Sequence, residues 1–378
     1  MIDDLCLLDD ALDGAAECLQ RWRASRPEAG VLALVAEASR DRVPALQAIA
    51  RAAAMPLVGA VFPALVTATG FAVRGTWLLC LDPMPPTFLL EDVATADGVE
   101  RLAAAMGAHL QSPDGRAPPL MFTIFDALVP NIGTLMMTAH SRLPAPPRHA
   151  GANAGSERFQ PIPCLFDASR EVAGGVLGLC LPPDLAAVVR HGYPVSGTQM
   201  RATSTTGNRI DRIDGRPAFT VYREVIWASF GVALTHANFY EYAVHFPLGV
   251  ITMFDVLVRI PVGFTDDGAV VCVGEVPPNS VLRVLEAPAA ADDALLDGIV
   301  RGLNVAPGTM QTPLLTFYCA GRRMHFGAAE SGREVERLRA RAGTAQIVGA
   351  LSLGEIDSIE DLGFPRFHNA ALVCLART

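Results

Sequence analysis

Cys319-Ala-Gly-Arg322 with His325 close behind, Glu355 after a glycine, and Phe367-His368-Asn369 are stretches of this 378-residue chain whose residue types suggest chemistry. A thiol flanked by an arginine and a histidine is how an activated nucleophile can be assembled. Cys319, however, closes the apolar run Leu314–Cys319, and no nucleophile elbow, paired-carboxylate motif or metal-ligand spacing accompanies it. The chain therefore does not read as an enzyme. Glu355, at a strand end, can place a carboxylate on the rim of a sheet, where His368 and Asn369 can meet it from an adjacent strand. Arg322, with five donors, can bind that carboxylate or an anionic ligand. Two readings stay open: a polar network that pins loops, or the lining of a small-molecule site between two halves.

Residues 190–224 form a second such stretch, complete as a local design. His191-Gly192-Tyr193-Pro194 is a turn in which Gly192 can take positive φ and Pro194 fixes the exit. Gln199 to Ser204 and Arg209 to Ile213 are strands joined through Gly207-Asn208, a hairpin. Asp214-Gly215-Arg216-Pro217 then opens a helix, with Asp214 as its cap and Pro217 in its first turn.

Strands and helices on both sides must position these groups. Leu5, Leu8, Leu12, Ala16 and Leu19 have helical spacing and predict a helix over 3–24. Val31–Val35 and Pro56–Ala60 are apolar runs of the kind buried on both faces, and the helical segment 40–51 between them makes a βαβ unit. Strands at 75–81 and 120–125 flank a helix over 91–110, and Asp126 caps a helix running to His140. Residues 142–161, rich in Pro, Ala, Gly and Arg, read as a surface loop, and their glycines do not form a dinucleotide fingerprint. Strands follow at 162–166 and 172–180. Beyond the hairpin, 227–244 reads as helix, with His236 and His245 bracketing Phe239-Tyr240-Glu241-Tyr242. Strands at 250–261, 269–273, 280–285, 314–319, 346–353 and 369–375 and helices at 292–303 and 328–341 complete the pattern. No repeat period is visible. The expected fold class is α/β (mixed α+β), with two closely packed domains, 1–185 and 186–378, each a β-sheet flanked by helices.

Composition narrows the function classes. At 51% hydrophobic and 18% charged, the chain has material for a large core. A net charge of −9 argues against a nucleic-acid groove. All 30 basic residues are arginine, which excludes a P-loop lysine and a Schiff-base lysine. The acidic N-terminus is unlike a secretory signal, and no apolar run reaches the ~18 residues of a membrane span. The 8 cysteines lie singly, without CxxC pairs, as in a reducing compartment, so the expected location is cytoplasmic.

The mid-chain order His-Gly-aromatic, hairpin, Asp-Gly-x-Pro-Ala and Tyr resembles the junction between the two halves of a FIST domain, an intracellular sensory module. Cys319-x-Gly-Arg322, Gly354-Glu355-Ile356 and Phe367-His368-Asn369, in that order, are similar to the end of the same domain. Tyr193 stands where the family usually has Trp, and Ala370-Ala371 where it usually has Thr. The resemblance implies a FIST N-type domain over 1–185 and a FIST C-type domain over 186–378, without an output domain. It implies ligand-binding roles for Tyr193, Arg322, Glu355, His368 and Asn369. Likeness to standalone bacterial haem-containing FIST proteins implies haem b, non-covalent since no CxxCH is present, with His191 as the iron ligand ahead of His236 and His245. Nitric oxide would be the signal, and a histidine kinase or cyclic-di-GMP enzyme the partner in trans. A small polar metabolite sensed without haem, or a protein-interaction module using 142–161, are the other functions implied.

Overall fold

The computed structural model describes residues 2–110, 118–195, 197–286, 288–289, 293–304, 308, 310, 312–359 and 363–377. Along it, one order of elements recurs: strand, helix, strand, helix, strand, hairpin, strand. The first unit is β1 (Ile2–Leu8), α1 (Ala15–Ser25), β2 (Gly30–Ala36), α2 (Val43–Ala52), β3 (Leu57–Phe62), the hairpin β4 (Leu65–Thr67) and β5 (Gly70–Ala72), and β6 (Thr76–Leu81). The second is β7 (Thr87–Leu90), α3 (Gly98–His109), β8 (Leu120–Asp126), α4 (Ile132–His140), β9 (Arg148–Ala154), β10 (Leu165–Asp167), β11 (Glu171–Val172) and β12 (Val176–Leu181).

The third begins with β13 (Leu185–Arg190) and is then interrupted by an insertion. That insertion holds β14 (Gln199–Thr206), β15 (Arg209–Ile213), β16 (Arg216–Pro217), α5 (Ala218–Phe230), α6 (Phe239–Ala243), β17 (Leu248–Ile251), β18 (Val256–Arg259), β19 (Pro261–Phe264), β20 (Val270–Cys272) and β21 (Val281–Val284). The unit resumes with α7 (Ala294–Gly302), β22 (Leu314–Cys319), α8 (Ala320–Ala342), β23 (Ile347–Ser352), β24 (Glu355–Ser358), β25 (Pro365–His368) and β26 (Leu372–Arg377).

Each unit builds a sheet in the same way. A parallel pair, β2·β3, β8·β9 or β22·β23, is extended antiparallel by the unit's last strand and then its first. The hairpins, by contrast, are handed on. β4 pairs with β23 of the third unit, β10 with β3 of the first, and β24 with β9 of the second. Each unit thus completes another's sheet, and the two expected halves are laced together by backbone hydrogen bonds. The insertion forms its own eight-stranded sheet.

The apolar runs explain the layering. β2 and β3 are buried along their whole length, as parallel strands covered on both faces must be. The inner faces of the three sheets share one core, where Phe62, Phe122 and Phe317, one from each unit, meet at ring separations of 5.5 and 5.4 Å. Such a ring contributes roughly 1.5–3 kcal/mol by leaving water. Helices cover the outer faces, α7 and α8 on the third sheet and α3 and α4 on the second.

Several expected boundaries change. Residues 2–8 are strand β1, paired along β6, and the helix starts only at Ala15. The helix expected over 91–110 is confined to 98–109, with β7 before it. Asp126 does not cap α4; its carboxylate accepts the Leu128 and Gly174 N–H groups, and the helix begins at Ile132. Asp214 caps no helix either: it sits in the hairpin turn and accepts the Arg201 N–H. The helix over 227–244 breaks at Gly231, which takes φ 70°, and α8 starts early at Ala320 and kinks at Gly327. The run 250–261 is a hairpin rather than one strand. Asp292, at the expected start of α7, lies outside the described residues.

The largest change is at 142–161, where the expected surface loop contains the buried strand β9. Its sequence Arg-His-Ala-Gly-Ala-Asn-Ala looks unlike a strand because the space is too tight for more. A Cβ on Gly151 would sit 2.2 Å from the Thr123 carbonyl oxygen.

Candidate functional site

A cavity of about 900 Å³ opens at the seam between the second and third units, under the tip of the β17–β18 hairpin. β13 and the turn after it supply Ala187, Arg190 and His191, β9 supplies Arg148, and the hairpin tip supplies Phe254 and Asp255. Asp357, Arg366 and His368 come from β24 and β25. Register explains the clustering. Glu355 pairs with His368 on one side and Ala152 on the other, and Asp357 pairs with Arg366. Because strand side chains alternate, Arg148, Asp357, Arg366 and His368 share one face of the second sheet.

These groups form a connected chain. His368 Nε2 lies 3.1 Å from Asp357 Oδ1, and Arg366 donates to both Asp357 oxygens at 2.9 and 2.6 Å. Arg366 also reaches Asp255 at 3.4 Å, and Asp255 lies 3.8 Å from His191 Nε2. The His191 and His368 rings face each other across 6.1 Å. Burial alone would raise the Asp357 carboxyl, but His368 and Arg366 together hold it below the usual carboxylate range. Asp255 is also held below that range, with burial opposing and His191, the Val256 N–H and Arg366 prevailing. An ionised Asp357 only accepts, so the network assigns a proton to His368 Nε2. The other nitrogen, Nδ1, has no partner although the residue is only 2% exposed.

Of the residues singled out from sequence, His191 and His368 line this cavity. The others lie behind it. Arg322 does not meet Glu355; it grips Glu334 through Nε at 2.9 Å and Nη2 at 2.7 Å, and donates from Nη1 to the His191 carbonyl at 3.0 Å. It holds the His191 turn rather than a ligand. Tyr193 is buried in an apolar cluster with Val258, Ile260, Leu285 and Ala370. Glu355 is fully buried and accepts from Ser352 and from the Ala371 N–H; burial pushes its carboxyl up to about 8 against those hydrogen bonds. Asn369 accepts the Ile260 N–H at 3.3 Å and donates to the His368 carbonyl at 3.0 Å. Arg148, Asp255, Asp357 and Arg366 were missed. Asp357 and Arg366 each sit two places from a motif residue on the same strand face, which period-two reasoning can find.

The Gly-Glu-Ile motif owes its glycine to packing. A Cβ on Gly354 would meet the buried Phe367 ring at 2.5 Å. Gly354→Ala is expected to cost about 1–3 kcal/mol, read by denaturant melting, because neither ring nor strand can yield.

The family models match the chain as a FIST N domain over residues 30–216 and a FIST C domain over residues 218–358. This is a FIST-domain protein. FIST domains are associated with small-ligand sensing in signalling. No curated protein matches the chain. The cavity draws Arg148 and His191 from the FIST N match and Asp255 and Asp357 from the FIST C match of this protein.

The residues lining the cavity do not suit haem. The Nδ1 of His191 accepts the Tyr193 N–H at 3.0 Å, and the Asp255 carboxylate stands 3.8 Å from its Nε2, on the side where a haem would have to approach. The lining is mixed: Arg148, Asp255, Asp357 and Arg366 stand among apolar residues such as Leu120, Val188 and Phe254, so the cavity is not the apolar pocket haem needs. His245 is tied to His325, and His236 packs between Phe219 and Phe264. Among the described residues no group of three or more His, Cys, Asp or Glu is placed to hold a metal ion. Cys319 is no activated thiol: burial raises it far above its ordinary value, and it accepts the Ala370 N–H at 3.1 Å. Among the described residues no helix is long and apolar enough to cross a membrane.

Proposed function

We propose that the chain senses a small polar molecule held in the seam cavity, without haem. The observation that carries this reading is a cavity of about 900 Å³ whose polar groups, His191, Asp255, Asp357, Arg366 and His368, are drawn from both halves. Convergent polar groups in a concave site are how a small polar ligand is held and oriented. The occupant would bridge β13, the β24–β25 hairpin and the β17–β18 tip, and so bias how the insertion sits on the seam. We keep the division into halves at 185/186. The signal then passes in trans to a signalling partner such as a histidine kinase or a cyclic-di-GMP enzyme, in the cytoplasm.

Amide hydrogen exchange with and without a pooled small-metabolite extract tests the reading. Slowed exchange in 187–192, 252–256 and 365–368 is expected, and slowing elsewhere would contradict it. An absorption spectrum after haem addition separates the competing proposal. A saturable Soret band that responds to nitric oxide would put haem b in place of the polar ligand, whereas we expect none.

A further inference from the structure

We propose that Cys6 and Cys18 are a redox site, joined in a reversible disulfide by a small peroxide, which gives the chain an oxidative input apart from the seam cavity. The cysteines lie singly in the sequence, but the fold brings these two together. Asp4 on β1 accepts the Trp22 indole N–H of α1 at 2.8 Å, and its carboxylate lies 3.8 Å from Arg21. Those contacts set the register of the helix on the strand. Side chains two apart on a strand share a face, as do side chains four apart on a helix. The connection over 9–14 turns the chain back. Cys6 therefore lies about 6–7 Å beyond Asp4, and Cys18 about 6 Å beyond Trp22, in the same direction. The two thiols face each other. The Cys18 thiol responds to that neighbour: it is pushed up to about 12, by burial first and then by Cys6, both as a like charge and as a hydrogen-bond partner.

Exposure divides the roles. Cys6 is half-buried and open to a small oxidant, whereas Cys18 is 3% exposed. The Arg21 guanidinium reaches Cys18 Sγ at 3.7 Å, a cation that favours negative charge on sulfur beside the pair. Cys80, Cys164, Cys272, Cys319 and Cys374 are buried, and Cys180 is half-buried with its thiol donated to the His109 carbonyl. Cys80, opposite Asp4 on β6, is the rival partner for Cys6.

The Cys6 thiolate attacks one peroxide oxygen. The S–O bond forms, the O–O bond breaks, and the departing oxygen takes up the proton the thiol released, as water. Cys18 then attacks the sulfenic sulfur. The S–S bond forms, the S–O bond breaks, and hydroxide leaves with the Cys18 proton as a second water. Two electrons pass to the peroxide, and a dithiol returns them. In a reducing compartment such a bond is transient, the form that redox-sensing disulfides take.

The test exposes the reduced full chain to hydrogen peroxide, alkylates it, cuts it at the aspartates between the two cysteines and maps the peptides by mass spectrometry. A linked Cys6–Cys18 pair is expected, with a loss of about 2 Da per chain that dithiothreitol reverses. It should form about tenfold faster than Cys180 is oxidised. Cys18→Ser should abolish the link and leave a Cys6 sulfenic acid that dimedone traps, and Cys6→Ser should leave Cys18 reduced. A link from Cys6 to Cys80, linkage only between two chains, or Cys6 oxidation no faster than that of Cys180 would each overturn the proposal. Melting curves identify a serine variant that has lost its fold, and the wild-type map then decides alone.

Discussion

Glu334→Gln should be among the most damaging single substitutions in this protein, lowering stability by about 3–5 kcal/mol. Glu334 and Arg322 are each only 1% exposed, and the pair is bidentate. Tyr318 donates its hydroxyl to the same carboxylate at 2.6 Å, and the Arg322 guanidinium lies 4.7 Å from the Phe326 ring. Neutralising the carboxylate leaves a guanidinium buried without a counter-charge, and it also loosens the Arg322 bond to the His191 carbonyl. The effect should therefore have two readouts: a lower midpoint in denaturant, and faster amide exchange in the turn at 191–193. A double variant, Glu334→Gln with Arg322→Met, should recover part of the loss, because the neutral pair no longer buries an unbalanced charge. Unchanged melting in the single variant would mean that the network contributes little.

Glu355→Gln should act in the opposite direction, and only above acidic pH. The Glu355 carboxyl is pushed up to about 8 from its ordinary value of 4.5, chiefly by burial, so the folded state keeps it protonated where the unfolded chain ionises. The stability it supports is fully present below about pH 4.5 and is lost as pH rises through that window to about 8. The loss is on the order of 3–4 kcal/mol across the window. Glutamine keeps a neutral donor and an acceptor at the same place. The variant should match the parent near pH 4.5, exceed it in melting temperature at pH 8, and flatten the pH dependence between. A parent whose stability does not fall between pH 5 and pH 8 would contradict this description of Glu355.

The sequence reading succeeded where a segment's own residues decide its state. β2 and β3 are legible because parallel strands buried on both faces are apolar throughout. β9 was not, because contact with Thr123 demands glycine at 151 and leaves a sequence that looks like a loop. β1 was hidden because its apolar residues happen to fall at helical spacing into the next element. The threefold recurrence of elements is one of topology, carried by no shared motif, and the insertion after β13 obscures it further. Exchange of hairpins between units is set by pairing partners far apart in sequence, which local pattern cannot report. The site divides in the same way. His191 and His368 were found from their motifs, while Glu355, Arg322 and Asn369 turned out to hold the strands and turns behind the lining. Arg148 and Asp255 reach the cavity only because one sheet and the insertion tip converge there.

Native mass spectrometry tests the central claim most directly: that one cavity at the seam holds a small ligand. The wild-type chain and the Ala187→Trp variant would be incubated with the same small-metabolite extract and desalted together. We expect a discrete adduct on the wild type that is absent from an otherwise folded variant. The same adduct on both chains, or none on either, would contradict the claim.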